Sequence, residues 1–176
     1  ESERLIEDFM VVANETVAEK LYWEEVPAIY RVHEDPDKVK IQMLNEALIK
    51  FGYSLKNIDE MHPGKFQLII DRTTGLPEGY LIHKLILRAM QRARYADRNL
   101  GHFGLSSKFY LHFTSPIRRY SDLVVHRMLG KSIEKFMSEK EKEKYGANLD
   151  AVAAAISRTE RIADKMEEDS VKIKLI

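Results

Sequence analysis

Apolar residues recur at helical spacing over most of this 176-residue chain. Leu5, Phe9, Val12, Thr16 and Leu21 recur at helical spacing, which predicts a long helix over residues 3–22. Similar spacing predicts further helices over about 36–51, 65–72, 81–97, 116–136 and 148–169. The chain is therefore predicted to be α+β in fold class, a mainly helical segment with a few short strands.

Pro and Gly mark where these helices begin and end. Asp35-Pro36-Asp37 is typical of a helix start, Gly52 of a helix end, and Gly75-Leu76-Pro77 of a break. Between Arg98 and Pro116, aromatic and aliphatic residues alternate, which predicts a hairpin or two short strands. The other segments are predicted as an extended stretch over 27–33, a charged linker over 138–144 and a strand-like run over 171–176.

Composition limits the class of protein. Hydrophobic residues make up 44% of the chain, enough for the core of one domain or a large part of one. No apolar run reaches the 18 or so residues that a membrane-spanning helix needs, and the polar start does not resemble a signal peptide. The absence of cysteine excludes disulfides, thiol catalysis and thiolate metal sites, and fits a reducing cytoplasm.

Charge is distributed unevenly although the net charge is zero. Between Lys84 and Lys131 stand ten basic residues and only two acidic ones, Asp97 and Asp122, which gives this stretch a charge of +8. A basic block in an otherwise acidic chain indicates an anionic partner. A solvated basic face is the alternative that charge alone leaves open.

Thr114-Ser115-Pro116 has the residues of a helix start. Ser115 is predicted as the N-cap and Pro116 as the first helical residue. The free N–H groups of such an end bind anions, and Arg118 and Arg119 would add two planar forks that suit a phosphate. Because Asp122 lies four residues after Arg118, we expect it to orient that arginine; an ordinary helix ion pair is the alternative.

Five segments carry a resemblance to a known family. The longest is His112-Phe113-Thr114-Ser115-Pro116-Ile117-Arg118-Arg119-Tyr120-Ser121-Asp122-Leu123-Val124-Val125-His126-Arg127, and the others are residues 5–14, 29–33, 101–105 and 157–164. In this order they resemble the ribonuclease II/ribonuclease R exoribonucleases, and the ribonuclease R-like bacterial branch is the nearest.

The resemblance implies an activity and roles for individual residues. The family removes nucleotides processively from the 3′ end of RNA as 5′-nucleoside monophosphates, with Mg²⁺ held by a cluster of aspartates. Arg118 matches the catalytic arginine at the scissile phosphate, and Glu7 matches an acidic position near the active site, although a surface glutamate is the alternative. The implied RNA-binding residues are Arg119, Ser115, Tyr120, His112, Arg127 and Arg161.

The same resemblance implies that the chain is incomplete. The family places its metal-binding aspartates and base-clamping aromatic residues upstream, so residues 1–176 are predicted to be the C-terminal part of a larger mixed α/β catalytic domain. The Mg²⁺ ligands would then lie outside this chain, which alone would be inactive. Expected partners are single-stranded RNA, the upstream catalytic half and OB-fold RNA-binding domains. An RNA-binding or regulatory segment without catalysis is the alternative function.

Other candidate sites are less well supported. His102, His112 and His126 match no compact zinc spacing. Tyr95, Tyr110 and Phe109 have rings that suit base stacking, but such residues more often lie in a core, which is the preferred interpretation for Phe109.

Overall fold

The computed structural model describes residues 2–174. In chain order its elements are α1 Ser2–Trp23, β1 Tyr30–Val32, α2 Lys38–Ile49, α3 Pro63–Thr73, α4 Gly79–Ala89, β2 Arg94–Ala96, α5 Tyr120–Glu134, α6 Glu139–Gly146 and α7 Leu149–Lys174. This composition confirms the predicted α+β class, mainly helical with short strands. Within the described part of the chain, no helix combines the length and apolarity needed to cross a bilayer.

The chain divides into two compact units. The first unit contains α1, the two strands and α5–α7, and the second contains residues 33–93 and 101–108 with α2–α4. The predicted extended stretch over 27–33 contains β1, which pairs antiparallel with β2 so that Arg31 lies opposite Tyr95.

The core of the first unit lies around the two-stranded sheet. One buried cluster joins Leu21 of α1 and Val32 of β1 with Val125 and Met128 of α5. A second cluster includes Ile29, Tyr95 of β2, Val124 of α5, and Leu149 and Ala153 of α7. The consecutive residues Tyr95 and Ala96 of β2 thus pack into different clusters, as side chains on opposite faces of a strand do.

The first half of α1 differs from the second. Leu5, Phe9 and Val12 share the face that the sequence predicts to be buried, but their side chains are 56%, 65% and 57% exposed. Two turns later, Ala18 and Leu21 are fully buried. The predicted helix over 3–22 is therefore confirmed, but its buried residues Asn14, Ala18 and Leu21 lie on the face opposite to Leu5, Phe9 and Val12.

The second unit is a three-helix cluster around Phe66. Asp37 caps α2, because its carboxylate accepts the N–H groups of Val39 and Lys40. Gly52 and Gly75 follow α2 and α3 with φ of +83° and +84°, a conformation that glycine adopts without steric cost. These ends confirm the predicted boundaries.

The prediction of a helix continuing to about Asp97 is wrong. α4 ends at Ala89, and Arg94–Ala96 form β2 instead. The helical spacing continues to Arg92, but Tyr95 is buried and β2 pairs with β1. Tertiary pairing therefore overrides the local pattern.

The predicted hairpin between Arg98 and Pro116 is also absent from the described structure. A 3₁₀ turn covers Phe103–Leu105, and His102 forms isolated bridges with His33 and Ser107. Residues 109–113 have no assigned strand, although the Tyr110 carbonyl accepts the Arg31 N–H at 3.0 Å. Of the alternating residues, Phe103 and Leu111 are buried while Leu105 is 43% exposed, so the alternation reflects separate core contacts rather than strand pairing.

Two further predictions fail near the end of the chain. The supposed linker over 138–144 is mostly the helix α6, which begins with a capping box between Ser138 and Glu141. The strand-like run over 171–174 is the last turn of α7, and Leu175 and Ile176 lie outside the described residues. Lys and Glu, which are good helix formers, fill the first of these segments and precede the second. Both segments are therefore helical.

Candidate functional site

The helix that carries the basic pair begins later than predicted. Pro116–Arg118 form a turn, and α5 starts at Tyr120 with Arg119 in the N-cap position. The Ser115 carbonyl accepts the N–H groups of Arg118 at 3.2 Å and Arg119 at 3.1 Å, which closes the turn. Ser115 is therefore not the N-cap, and the predicted cap and helix start at Pro116 are wrong.

Asp122 explains this arrangement. Its side chain is fully buried, and its Oδ2 accepts the Ser115 N–H at 2.8 Å. The same oxygen accepts Arg119 Nε at 3.2 Å and Arg119 Nη2 at 2.8 Å, while Oδ1 accepts the Ser121 hydroxyl at 3.1 Å. The expected pair between Asp122 and Arg118 is thus wrong, because Arg119 occupies that position.

Arg118 has the opposite environment. Its side chain is exposed, and it makes no hydrogen bond or ion pair with any residue between 2 and 174. The neighbouring side chains of Ile117 and Tyr120 are 98% and 53% exposed. The Arg118 guanidinium is therefore available to an anion, whereas that of Arg119 is held by a carboxylate.

A groove of about 720 Å³ lies beside Arg118. One wall comes from the turn and the start of α5, the other from α7, and Tyr95 of β2 lies between them. The α7 wall is mostly apolar. The lining residues are Tyr95, Arg118, Arg119, Tyr120, Ser121, Val152, Ala155, Ile156, Thr159, Glu160 and Ala163.

Tyr95 anchors the floor of the groove. Its backbone N–H donates to Ser157 Oγ at 2.9 Å, and its hydroxyl lies 2.9 Å from His112 Nδ1. The Arg31 guanidinium stacks over its ring at 4.6 Å and pairs with Glu160 at 2.6 Å. Burial raises the pKa of Tyr95, so the phenol is neutral at physiological pH. The Tyr95 ring therefore belongs to the core and is not free to stack on a base, and its partner His112 is not among the residues that line the groove.

The segment that leads into the turn is held by α1 and α5. Asn14 of α1 donates to the Tyr110 hydroxyl at 3.2 Å and accepts the Phe113 N–H at 2.9 Å. His126 of α5 lies 2.9 Å from the Phe113 carbonyl, and its ring stacks on that of Phe113 at 4.1 Å. Sequence reasoning missed these roles, because the apolar spacing of α1 pointed to Leu5, Phe9 and Val12, whereas Asn14 lies on the opposite, buried face.

The remaining predicted residues do not line this groove. Glu7 is exposed on the first half of α1, and Arg127 is exposed on α5. Arg161 lies on another face of α7 with Arg158 and Lys165, beside a shallow depression of about 670 Å³. Of the predicted site, Arg118, Arg119 and Tyr120 meet in the groove. Ser115 joins them through Asp122.

The described residues do not form a metal centre of their own. Over residues 2–174, no three His, Asp or Glu side chains converge closely enough to hold an ion. Two acidic groups of this region are already engaged, Asp122 by four donors and Glu160 by Arg31. The exposed Arg118 guanidinium beside the groove therefore favours an anionic ligand there.

Comparison with known proteins relates this geometry to a family. The RNB domain model matches residues 1–135. Ribonuclease R of Aquifex aeolicus is 47% identical over 168 residues, 96% of this chain and 24% of that protein. Ribonuclease R of Thermotoga maritima is 43% identical over 99% of this chain and 25% of its own length. The chain thus spans about a quarter of the length of these curated relatives.

Solved structures agree. Mycoplasma genitalium RNase R in complex with ribose methylated single-stranded RNA matches with a TM-score of 0.85 and 33% identity, over 95% of this chain and 27% of that one. Yeast Ssd1, described as a pseudonuclease, matches with a TM-score of 0.71 and 27% identity, over 86% of this chain and 19% of its own. With an RNB domain over most of its length and ribonuclease R relatives along nearly all of it, the chain belongs to the ribonuclease R-like branch of the ribonuclease II/ribonuclease R family.

Proposed function

We propose that this chain is part of a processive 3′-5′ exoribonuclease in which Arg118 acts on the scissile phosphate. The observation that carries the proposal is the exposed, unpaired Arg118 guanidinium at the edge of a groove, within residues that resemble the family signature. Single-stranded RNA is the proposed substrate, in keeping with the RNA bound to the related Mycoplasma genitalium enzyme.

The proposed reaction is hydrolysis of the last phosphodiester. Water attacks the phosphorus, the bond to the 3′-oxygen breaks, and a 5′-nucleoside monophosphate leaves. Arg118 would donate its planar N–H groups to the non-bridging oxygens, where negative charge builds up in the transition state. The Mg²⁺ that the family implies has no ligand set among the described residues, so the proposal assigns it to residues outside this chain.

Neighbouring residues would guide the RNA strand. Tyr120 is exposed beside Arg118, and the apolar wall of Val152 and Ile156 suits the sugar and base edges of a nucleotide. Arg127 and Arg161 are exposed cations outside the groove, and we propose that they bind RNA phosphates farther along the strand from the one at Arg118. Glu7 also lies outside the groove, and we propose a catalytic role for it because it matches an acidic position of the family.

The chain spans about a quarter of the length of its curated relatives. We propose that it forms the C-terminal part of a ribonuclease II-type catalytic domain in a longer protein. The upstream half and OB-fold RNA-binding domains would then be its partners, the chain alone would be inactive, and the location expected from the lack of cysteine is the cytoplasm.

An RNA-binding role without catalysis is the second candidate. Its support is the match to yeast Ssd1, a pseudonuclease of similar fold. Fold alone therefore does not decide between cutting and holding RNA.

One assay separates the two functions. The full-length protein is incubated with Mg²⁺ and a single-stranded RNA labelled throughout, and the products are resolved over time. The exoribonuclease predicts steady release of 5′-mononucleotides, while a circular RNA of the same sequence, which has no 3′ end, stays intact. Tight binding of both RNAs without nucleotide release would establish the second candidate, and cutting of the circle would contradict a 3′-end mechanism.

A further inference from the structure

Asp122 is an unusual residue for its position. Its side chain is fully buried at the start of α5, next to Val124 and Val125 of the apolar clusters. Burying a carboxylate is costly unless donors surround it. Asp122 has four such donors, and three of them come from the two ends of the turn that precedes the helix.

We propose that Asp122 is a positioning residue that fixes the Ser115–Arg119 turn so that Arg118 faces the phosphate and Arg119 is kept from the RNA. This inference rests on the proposed function, because it gives the turn a purpose in the same reaction. It also revises the RNA-binding role that the family resemblance implies for Arg119.

The hydrogen bonds define how the turn is held. Oδ2 of Asp122 binds the backbone N–H of Ser115 at 2.8 Å and the guanidinium of Arg119 at 2.8 and 3.2 Å. The Ser115 carbonyl in turn accepts the N–H groups of Arg118 and Arg119. Both ends of the turn therefore meet at one buried oxygen, and the backbone of Arg118 is fixed between them.

The two arginines consequently differ in what they can do. The Arg119 side chain is 20% exposed and paired with a buried carboxylate, so a phosphate would have to compete with that pair. The Arg118 guanidinium has no partner in the described part of the chain, so it reaches the groove without breaking a contact. Because the Arg118 backbone is already fixed, only its side chain loses conformational entropy when the phosphate binds. The smaller entropy loss favours the transition state.

A purely structural role for Asp122 makes a different prediction. If the carboxylate only stabilised the fold, its loss would lower the folded fraction, and the enzyme that remained folded would keep its turnover number. A positioning residue instead affects kcat of fully folded enzyme. Freeing the Arg119 guanidinium would also leave KM for RNA unchanged or lower it, because a cation becomes available to phosphate.

The test uses Asp122→Asn in the full-length enzyme, assayed below the onset of thermal unfolding. The amide keeps the size of the side chain and an acceptor for Ser115, but it removes the charge that holds Arg119. We expect kcat to fall by about 10- to 100-fold, with KM unchanged or lower. The matched control is Asp169→Asn, an exposed aspartate of α7 paired with Lys172, which should leave both constants unchanged.

A double-mutant cycle with Arg118→Ala completes the test. If Asp122 acts through Arg118, adding Asp122→Asn to Arg118→Ala should lower kcat by less than about twofold further. Suppose that Arg118→Ala loses activity but Asp122→Asn keeps full kcat, or that the two losses in kcat multiply in the double variant. Either result overturns this inference and leaves the proposed function standing. Full activity in Arg118→Ala overturns the role of Arg118 itself.

A second variant covers the case in which Asp122→Asn does not fold. Arg119→Gln removes the same ion pair from its exposed side and leaves the Asp122 carboxylate able to accept the Ser115 N–H. The inference predicts a lower kcat for this variant too. Unchanged kcat in folded Arg119→Gln enzyme overturns it.

Discussion

Two adjacent arginines carry the same charge but have different environments. The Arg119 guanidinium is paired with the buried carboxylate of Asp122, whereas the Arg118 guanidinium is exposed beside a groove with a mostly apolar wall. A charge that is already compensated contributes little to a new ionic contact, whereas an uncompensated one contributes fully. At the scale of single residues, the site is therefore one free arginine held in place by a paired one.

Asn14 is the residue that should matter most to the stability of the segment before the turn. Asn14→Leu removes the acceptor for the Phe113 N–H and the donor to Tyr110, which leaves buried polar groups unsatisfied. We expect the free energy of unfolding to fall by about 1–3 kcal/mol. Urea denaturation of the chain, followed by fluorescence of its single tryptophan, Trp23, measures this change.

The control for that measurement lies on the same helix. Thr16 is exposed, and among residues 2–174 its hydroxyl bonds only the Val12 carbonyl in its own helix, so Thr16→Ala should change stability by less than about 0.5 kcal/mol. Equal effects of the two substitutions would show that the bridge from Asn14 is not important.

Three of the predicted site residues, Arg118, Arg119 and Tyr120, line one groove, but their contacts were not predictable from the sequence. The spacing of Arg118 and Asp122 suggests an ion pair only if both lie in one helix. Arg118 precedes α5, so the pair forms with Arg119 instead. The α7 wall was missed for a related reason, since which face of a helix borders a groove depends on tertiary packing.

At the scale of elements, close approaches between neighbours decide where helices begin. α4 begins at Gly79, where a Cβ atom would lie 2.2 Å from the Thr73 carbonyl oxygen. Only glycine allows the α3–α4 connection to close this tightly. Helical periods predicted most helices here, but they failed where a strand pair or a buried carboxylate, rather than local spacing, fixed the boundary.

Gly79→Ala should therefore destabilise the second unit. The added methyl group meets backbone rather than a movable side chain, so we expect a loss of about 1–3 kcal/mol or more. Gly130→Ala in α5 is the matched control, because nothing lies within 4 Å of its new Cβ and alanine favours a helix by up to about 1 kcal/mol. Thermal unfolding followed by circular dichroism compares them, and a Gly79→Ala protein as stable as Gly130→Ala would contradict the steric account.

The cap of α6 should give a pH-dependent contribution to stability. The Lys135 ammonium, then the Ser138 N–H and hydroxyl, hold the pKa of Glu141 at about 2 instead of its ordinary 4.5. Because the folded-state pKa is the lower one, this stabilisation is complete above about pH 4.5 and is lost as pH falls towards 2. Glu141→Gln should lower the melting temperature at pH 7 and match the original protein near pH 2; a constant difference across that range would contradict the assignment.

At the scale of the whole molecule, charge is separated although the total is zero. The stretch from Lys84 to Lys131 carries +8. The first half of α1 exposes Leu5, Phe9 and Val12, a face whose partner the sequence pattern implies but the described residues do not supply. The sequence thus predicted the apolar face of α1 and the basic stretch over 84–131. It did not predict which partner contacts either of them.

RNA binding through the basic stretch should weaken steeply with salt. Neutralising about five phosphates of a single strand gives a slope near −3.5 in log K against log salt concentration. Arg127→Gln, within the stretch and exposed, should make the slope shallower by about 0.7, whereas Lys140→Gln in α6 should leave it unchanged. Filter binding at a series of salt concentrations measures both, and a flat dependence would contradict an electrostatic grip.

Single-turnover cleavage by the full-length protein measures whether Arg118 stabilises the scissile phosphate. RNA is held at a concentration that saturates both the original protein and Arg118→Ala, so that binding does not limit the rate. Arg118→Ala should cleave about 10²- to 10³-fold more slowly, while its dissociation constant for RNA should change by less than about tenfold. An unchanged cleavage rate with RNA fully bound would contradict this role of Arg118.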